Sequence, residues 1–127
     1  MSLEPGQRVE LRVTPDLYVT IRYAGASGDF NPIHIDEQFA RQVGLPGRIL
    51  HGLWTMAQVA RALTEAAGGP EKLRSLSVQF RGMGVPGEEI VVTGTVRERR
   101  GELLVVDAQA TQGGRRLIRI ALAELLP

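Results

Sequence analysis

The first pattern along the chain is a short alternation. Over residues 7–13, apolar Val9, Leu11 and Val13 alternate with polar neighbours, the period-two mark of a strand with one face covered, and Thr14-Pro15-Asp16 ends it. The period then changes. Thr20 is placed to cap a short helix through about Ala26, stopped by Ser27-Gly28-Asp29. A second short helix is predicted to start near Asp36, with acidic residues in its first turn and Gly44 as its stop. Across residues 53–67, ten of fifteen positions are apolar, a face so wide that the helix it predicts is expected to be largely enclosed. Gly68-Gly69-Pro70 closes it.

Alternation returns after Pro70. Leu76, Val78 and Phe80 alternate with Ser77 and Gln79, and residues 90–97, 103–111 and 116–125 read as three further strands, with tight turns at Gly101 and Gly113-Gly114. In the last strand Ile118, Ile120 and Leu122 are spaced to share one face. One strand before the helices, about four after them and one long apolar helix predict an α+β layer, a curved antiparallel sheet wrapped around a helix. With no repeat, linker or low-complexity stretch, residues 1–127 are expected to form a single domain.

Composition narrows the function classes. A net charge of +1 gives no electrostatic basis for nucleic-acid binding, so no such partner is expected. The absence of cysteine removes disulfides and thiolate chemistry and fits a reducing compartment. No run has membrane-spanning length and the opening residues lack a signal-like apolar core, so no membrane partner and a cytoplasmic location are expected.

The candidate chemistry lies in residues 23–54, which hold both histidines, His34 and His51. Alone, Asp29 after Gly28 reads as a turn residue and His34 as a packed histidine. Pro32 between them biases Asn31 toward an extended backbone and is expected to forbid a regular helix from Asp29 through His34. Both side chains then sit on one rigid bend where they can converge. A carboxylate and a neutral imidazole sharing a water make a general acid–base pair, best tuned in an enclosed apolar setting. Gly52 opens the long helix. Either it lets a ligand oxygen reach unpaired N–H groups, as an oxyanion site for a thioester carbonyl, or it serves close packing. His51 reads as structural, capping or orienting the helix start.

A metal centre of Asp29, His34 and His51 is disfavoured, because the histidines are seventeen residues apart with no HxH or HxxxH spacing and no cysteine. Neither GxGxxG nor GxxxxGK occurs, and no cofactor is expected. Arg99-Arg100 and Arg115-Arg116 read as solvated hairpin ends, with a clamp on a substrate phosphate as their functional alternative.

The run Tyr23-Ala-Gly-Ala-Ser-Gly-Asp-Phe-Asn-Pro-Ile-His34, followed by Arg48-Ile-Leu-His-Gly52, resembles the MaoC-like hydratase/dehydratase family. That family includes the (R)-specific enoyl-CoA hydratases and related 3-hydroxyacyl-ACP dehydratases. The resemblance implies a hot-dog fold and dimers joined sheet edge to sheet edge, with acyl-thioester tunnels near the interface. It implies Asp29 and His34 as catalytic residues, Gly52 N–H as the thioester-oxygen donor, and Asn31 as a brace for the loop. The activity implied is the interconversion of trans-2-enoyl and (R)-3-hydroxyacyl thioesters of CoA or acyl-carrier protein by adding or removing water. The partner implied is a second hot-dog chain, as homodimer or heterodimer. One position departs: some (R)-hydratases carry a serine eight residues beyond the glycine, where this chain has Ala60. The competing readings are a hot-dog acyl-thioesterase, a subunit of a heteromeric 3-hydroxyacyl-ACP dehydratase, and a non-catalytic acyl-binding subunit.

Overall fold

Val9, Leu11 and Val13 turn one half-buried face of β1 (Arg8–Val13) inward and leave Arg8, Glu10 and Arg12 exposed, as the alternation requires. The computed structural model describes residues 3–127, and the side chain of Ile120 lies outside the described set. After β1 come α1 (Val19–Ser27), the single turn α2 (Pro32–Ile35), α3 (Glu37–Gln42) and the long α4 (Gly52–Ala67). A 3₁₀ turn (Pro70–Lys72) leads into β2 (Leu73–Phe80), β3 (Ile90–Arg100), β4 (Leu103–Gln112) and β5 (Arg115–Leu125). The strands form one antiparallel sheet in the order β1-β3-β4-β5-β2. The β3-β4-β5 meander is its centre, and β1 and β2 are its edges.

The sheet curves around α4, the arrangement expected of a hot-dog fold. Thr55, Val59, Ala62 and Leu63 are the buried residues of α4, at the spacing of one helical face. Val59, Ala62 and Leu63 share a core with Val92, Leu104, Val106 and Ile118 from the inner face of the sheet. The helix is less enclosed than its composition suggested. Leu53 is 62% exposed and Ala57 is exposed as well, because the chain's one sheet covers only one side of α4.

Two local expectations fail for identifiable reasons. Thr20 does not cap α1 but lies buried inside it. No side chain caps α1; Asp16 orders the turn before it, its Oδ1 accepting the Tyr18 N–H at 2.8 Å and its carboxylate tied to Arg22. In β5, Ala110 pairs with Ile118 and Ala108 with Ala121, so three residue steps on β5 match two on β4. The extra residue reverses inside and outside. Ile118, Ala121, Ala123 and Leu125 are therefore buried, whereas Leu122 is 38% exposed and does not share a face with Ile118. The third member of that expected face, the Ile120 side chain, falls outside the described residues. Among the described residues, no helix is long and apolar enough to cross a membrane.

Candidate active site

The site is built where α1 ends. Gly28 takes a left-handed backbone, φ 80°, and its N–H closes the helix on the Ala24 carbonyl. The chain then turns sharply into Asp29. Asp29 N–H donates to Ser27 Oγ at 3.1 Å, and Ser27 Oγ–H donates to the Tyr23 carbonyl at 2.7 Å. Asp29 Oδ1 accepts the Asn31 N–H at 3.3 Å, which leaves Oδ2 to face the site.

No helix runs from Asp29 through His34, since residues 29–31 are irregular, but Pro32 opens a new turn rather than only breaking the old one. It can do so because a first helical position needs no N–H and proline's fixed φ suits it. Asn31 Oδ1 accepts the Ile33 N–H at 3.2 Å and caps the turn. That single turn swings His34 inward, where it is buried, while Asp29 stays outside the turn with its side chain 53% exposed. The enclosed apolar setting expected around the pair is therefore not supplied by this chain alone at the carboxylate.

His34 Nδ1 lies 2.8 Å from the Ile49 carbonyl oxygen. A carbonyl can only accept, so Nδ1 carries the proton and Nε2 of the neutral ring offers a lone pair. Nε2 lies 3.9 Å from Asp29 Oδ2. That is too long for a direct hydrogen bond and is a gap that one water donating to both atoms can span.

His51 occupies the N-cap position of α4 but makes no side-chain cap. Its ring stacks on His34 with centroids 3.8 Å apart and planes 19° from parallel, and the Tyr23 ring tilts against it at 4.7 Å. Intrahelical bonding begins with the Trp54 and Thr55 N–H groups on the His51 carbonyl. The N–H groups of Gly52 and Leu53 belong to the first turn, whose donors have no partner within a helix. A Cβ added at Gly52 would come within 3.1 Å of Phe80 Cε1, so the glycine serves close approach of the Phe80 ring.

The ligating atoms of Asp29, His34 and His51 lie within 4.8 Å of one another, so seventeen residues of separation did not keep the histidines apart. Ile49 N–H donates to the Ile33 carbonyl at 3.1 Å and brings the segment before α4 back beside α2. The rings are stacked with planes 19° from parallel, so their in-plane lone pairs lie in separate, nearly parallel planes, unlike the converging ligands of a closed tetrahedral site.

Sequence reasoning missed three contributors. The Ile49 carbonyl carries no residue-type signal, and Phe80 reaches Gly52 from a distant strand. Arg48 is largely covered: it donates from Nε to Glu37 Oε2 at 3.2 Å and from Nη2 to the Leu17 carbonyl at 2.8 Å. Its guanidinium holds the Glu37 carboxyl below the usual carboxylate range. One arginine of each hairpin pair is tied within the protein, Arg100 to Glu98 at 2.6 Å and Arg115 to the Met83 carbonyl at 3.1 Å. Ala60 is half-buried along α4.

A family model described as a MaoC-like domain matches residues 2–112. The fatty acid synthase subunit beta of Aspergillus oryzae is 48% identical over 73 residues, 55% of this chain and 4% of that protein. The peroxisomal hydratase-dehydrogenase-epimerase of Neurospora crassa is 32% identical over 121 residues, 95% of this chain and 12% of that protein. The chain thus spans a small part of the length of these curated relatives. The solved (R)-hydratase from A. caviae involved in PHA biosynthesis shares the fold, with a TM-score of 0.89 at 24% identity over 100% of this chain and 99% of that one. Matched along most of its length by one family model and built on that fold, the chain belongs to the MaoC-like domain family.

Proposed function

We propose that this chain is an (R)-specific hydro-lyase that interconverts trans-2-enoyl and (R)-3-hydroxyacyl thioesters, carried on CoA or acyl-carrier protein, in fatty-acid metabolism. The observation that carries the reading is the 3.9 Å separation of two acceptors, Asp29 Oδ2 and His34 Nε2, with the other nitrogen of His34 held on the Ile49 carbonyl. A water between them donates one hydrogen to each and turns a lone pair toward substrate. In hydration that lone pair forms the C3–O bond as the C2–C3 π bond breaks. Charge moves to the thioester oxygen, where the Gly52 N–H receives it. Asp29 takes the proton released from the water, and the pair returns one to C2, His34 orienting the water and sharing that delivery. Dehydration is the same path reversed. Asn31 braces the Asp29 loop. The names of the relatives support this choice of substrate class: one is a hydratase-dehydrogenase-epimerase and another a fatty acid synthase subunit.

We read residues 1–127 as one hot-dog domain that works against a second hot-dog chain, a copy of itself or a different one. The half-exposed Asp29 and the exposed Phe30 and Leu53 are what a partner would cover. The test is hydration of crotonyl-CoA by the purified protein, followed by loss of enoyl-thioester absorbance, with Asp29→Asn and His34→Ala alongside. Each variant is expected to fold and to lose about 10²–10⁴-fold in turnover. Wild-type-like turnover in either variant removes that residue from the mechanism. Release of free thiol instead of absorbance loss replaces the reading with a thioesterase. A wild type inactive on both CoA and carrier-protein enoyl thioesters overturns it.

A further inference from the structure

We infer that His51 is a positioning residue: from the start of α4 it sets the geometry of both members of the Asp29–His34 pair. This rests on the hydratase reading above. His51 is 3% exposed, so its ring nitrogens need partners inside the protein, yet the cap that its position offers is not made. The imidazole turns away from the helix end. Its Nε2 lies 3.1 Å from the main-chain oxygen of Asp29. That oxygen only accepts, so Nε2 carries the proton and His51 donates to the backbone of the carboxylate residue itself.

The same ring acts on His34. The bond from Nδ1 to the Ile49 carbonyl fixes His34 in its own plane, and a face stacked at 3.8 Å and 19° fixes the tilt that an in-plane bond leaves free. Tyr23 closes the circuit. Its ring packs on His51, and its carbonyl holds Ser27, whose hydroxyl oxygen receives the Asp29 N–H. The residue after His51 is Gly52. One imidazole therefore connects the carboxylate, the catalytic imidazole and the backbone donor for the thioester oxygen. A reaction that needs all three in register is sensitive to displacements of about 1 Å.

The donor can be separated from the ring by substitution. In His51→Gln the amide nitrogen reaches the place of Nε2, whereas in His51→Asn it stops one bond short, and both variants lack the stack. H51N is expected to lower kcat for crotonyl-CoA hydration by about 10–100-fold with KM moved far less, and H51Q to recover a large part of that loss. Two NMR readouts do not depend on turnover. Backbone amide resonances from Asp29 to His34 should move in H51N and return toward wild type in H51Q. Imidazole nitrogen shifts of the wild type should report His51 protonated at Nε2. Equal kcat and equal amide positions in the two variants, or a His51 protonated at Nδ1 alone, overturn the inference and leave the hydratase reading standing. A wild type that hydrates no enoyl thioester removes that reading instead, and the resonances alone then decide whether His51 orders the loop.

Discussion

At the scale of single residues, the site depends on which atoms are occupied. His34 is a lone-pair donor toward Asp29 because a main-chain carbonyl takes its other nitrogen. Asp29 turns one oxygen outward because Asn31 N–H takes the other. Gly52 shows how little room is left. A methyl group there meets the edge of the Phe80 ring at 3.1 Å, and that ring is 49% exposed and free to swing aside. Gly52→Ala is therefore expected to fold with a melting temperature near wild type, while kcat/KM for enoyl-thioester hydration falls on the order of 10²–10³-fold as the methyl crowds the backbone donor. Adding Phe80→Ala should not restore turnover, because the obstruction to the substrate is the methyl itself. Full recovery in the double variant would move the effect from Gly52 to Phe80. Asp29, Asn31, His34 and Gly52 stand out in the sequence as candidates because their residue types carry chemistry at fixed spacing. The Ile49 carbonyl does not, since every residue has one.

At the scale of elements, short pieces are held by partners far along the chain. Gln112, at the end of β4, is fully buried. Its Nε2 donates to the carbonyls of Val85 at 2.8 Å and Glu88 at 3.0 Å, and its Oε1 accepts the Val85 N–H at 2.9 Å. The loop it organises gives the Gly84 carbonyl to Leu50 N–H at 2.8 Å, just before His51. Gln112→Leu leaves these loop groups unpaired and is expected to destabilise the fold by roughly 2–3 kcal/mol. Urea unfolding should show this as a lower midpoint at an unchanged slope. A midpoint equal to wild type would mean that water replaces the side chain. The strand read from the sequence ends at residue 111, just before Gln112, and a single polar residue between a strand and a glycine turn carries no sign of burial. The single turn α2 carries no periodic signal for a related reason: whether proline breaks or begins a helix depends on Asn31 capping from behind.

At the scale of the whole molecule, two ion pairs tie the helical segment together. Arg22 holds Asp16 at the entry to α1, and Arg48 holds Glu37 of α3 against the segment that precedes α4. Both carboxyls sit below their ordinary range, each chiefly through the hydrogen bond from its arginine. A group that binds its proton less readily folded than unfolded stabilises the fold above its unfolded value. That contribution is complete above about pH 4, the ordinary carboxyl value, and is lost as pH falls through the lower folded values. The urea midpoint is therefore expected to drop on acidification below that point. Glu37→Gln should lie below wild type at neutral pH and converge on it in strong acid. A constant difference across that range would exclude titration of Glu37 as the cause.

The sequence by itself determined the five strands, the long helix and the candidate residues of the site. Alternation, helical spacing and turn residues are local, and they placed five strands, one long helix and the residues from Asp29 to Gly52 without reference to anything distant. Tertiary structure decided direction and distance. The bulge that turns Leu122 outward, the ring of His51 laid on His34 and the Phe80 edge over Gly52 all depend on which segments meet. Contacts between residues far apart in sequence leave no periodic trace in it, because they are selected by the packing of the whole chain rather than by the conformational preference of any one stretch.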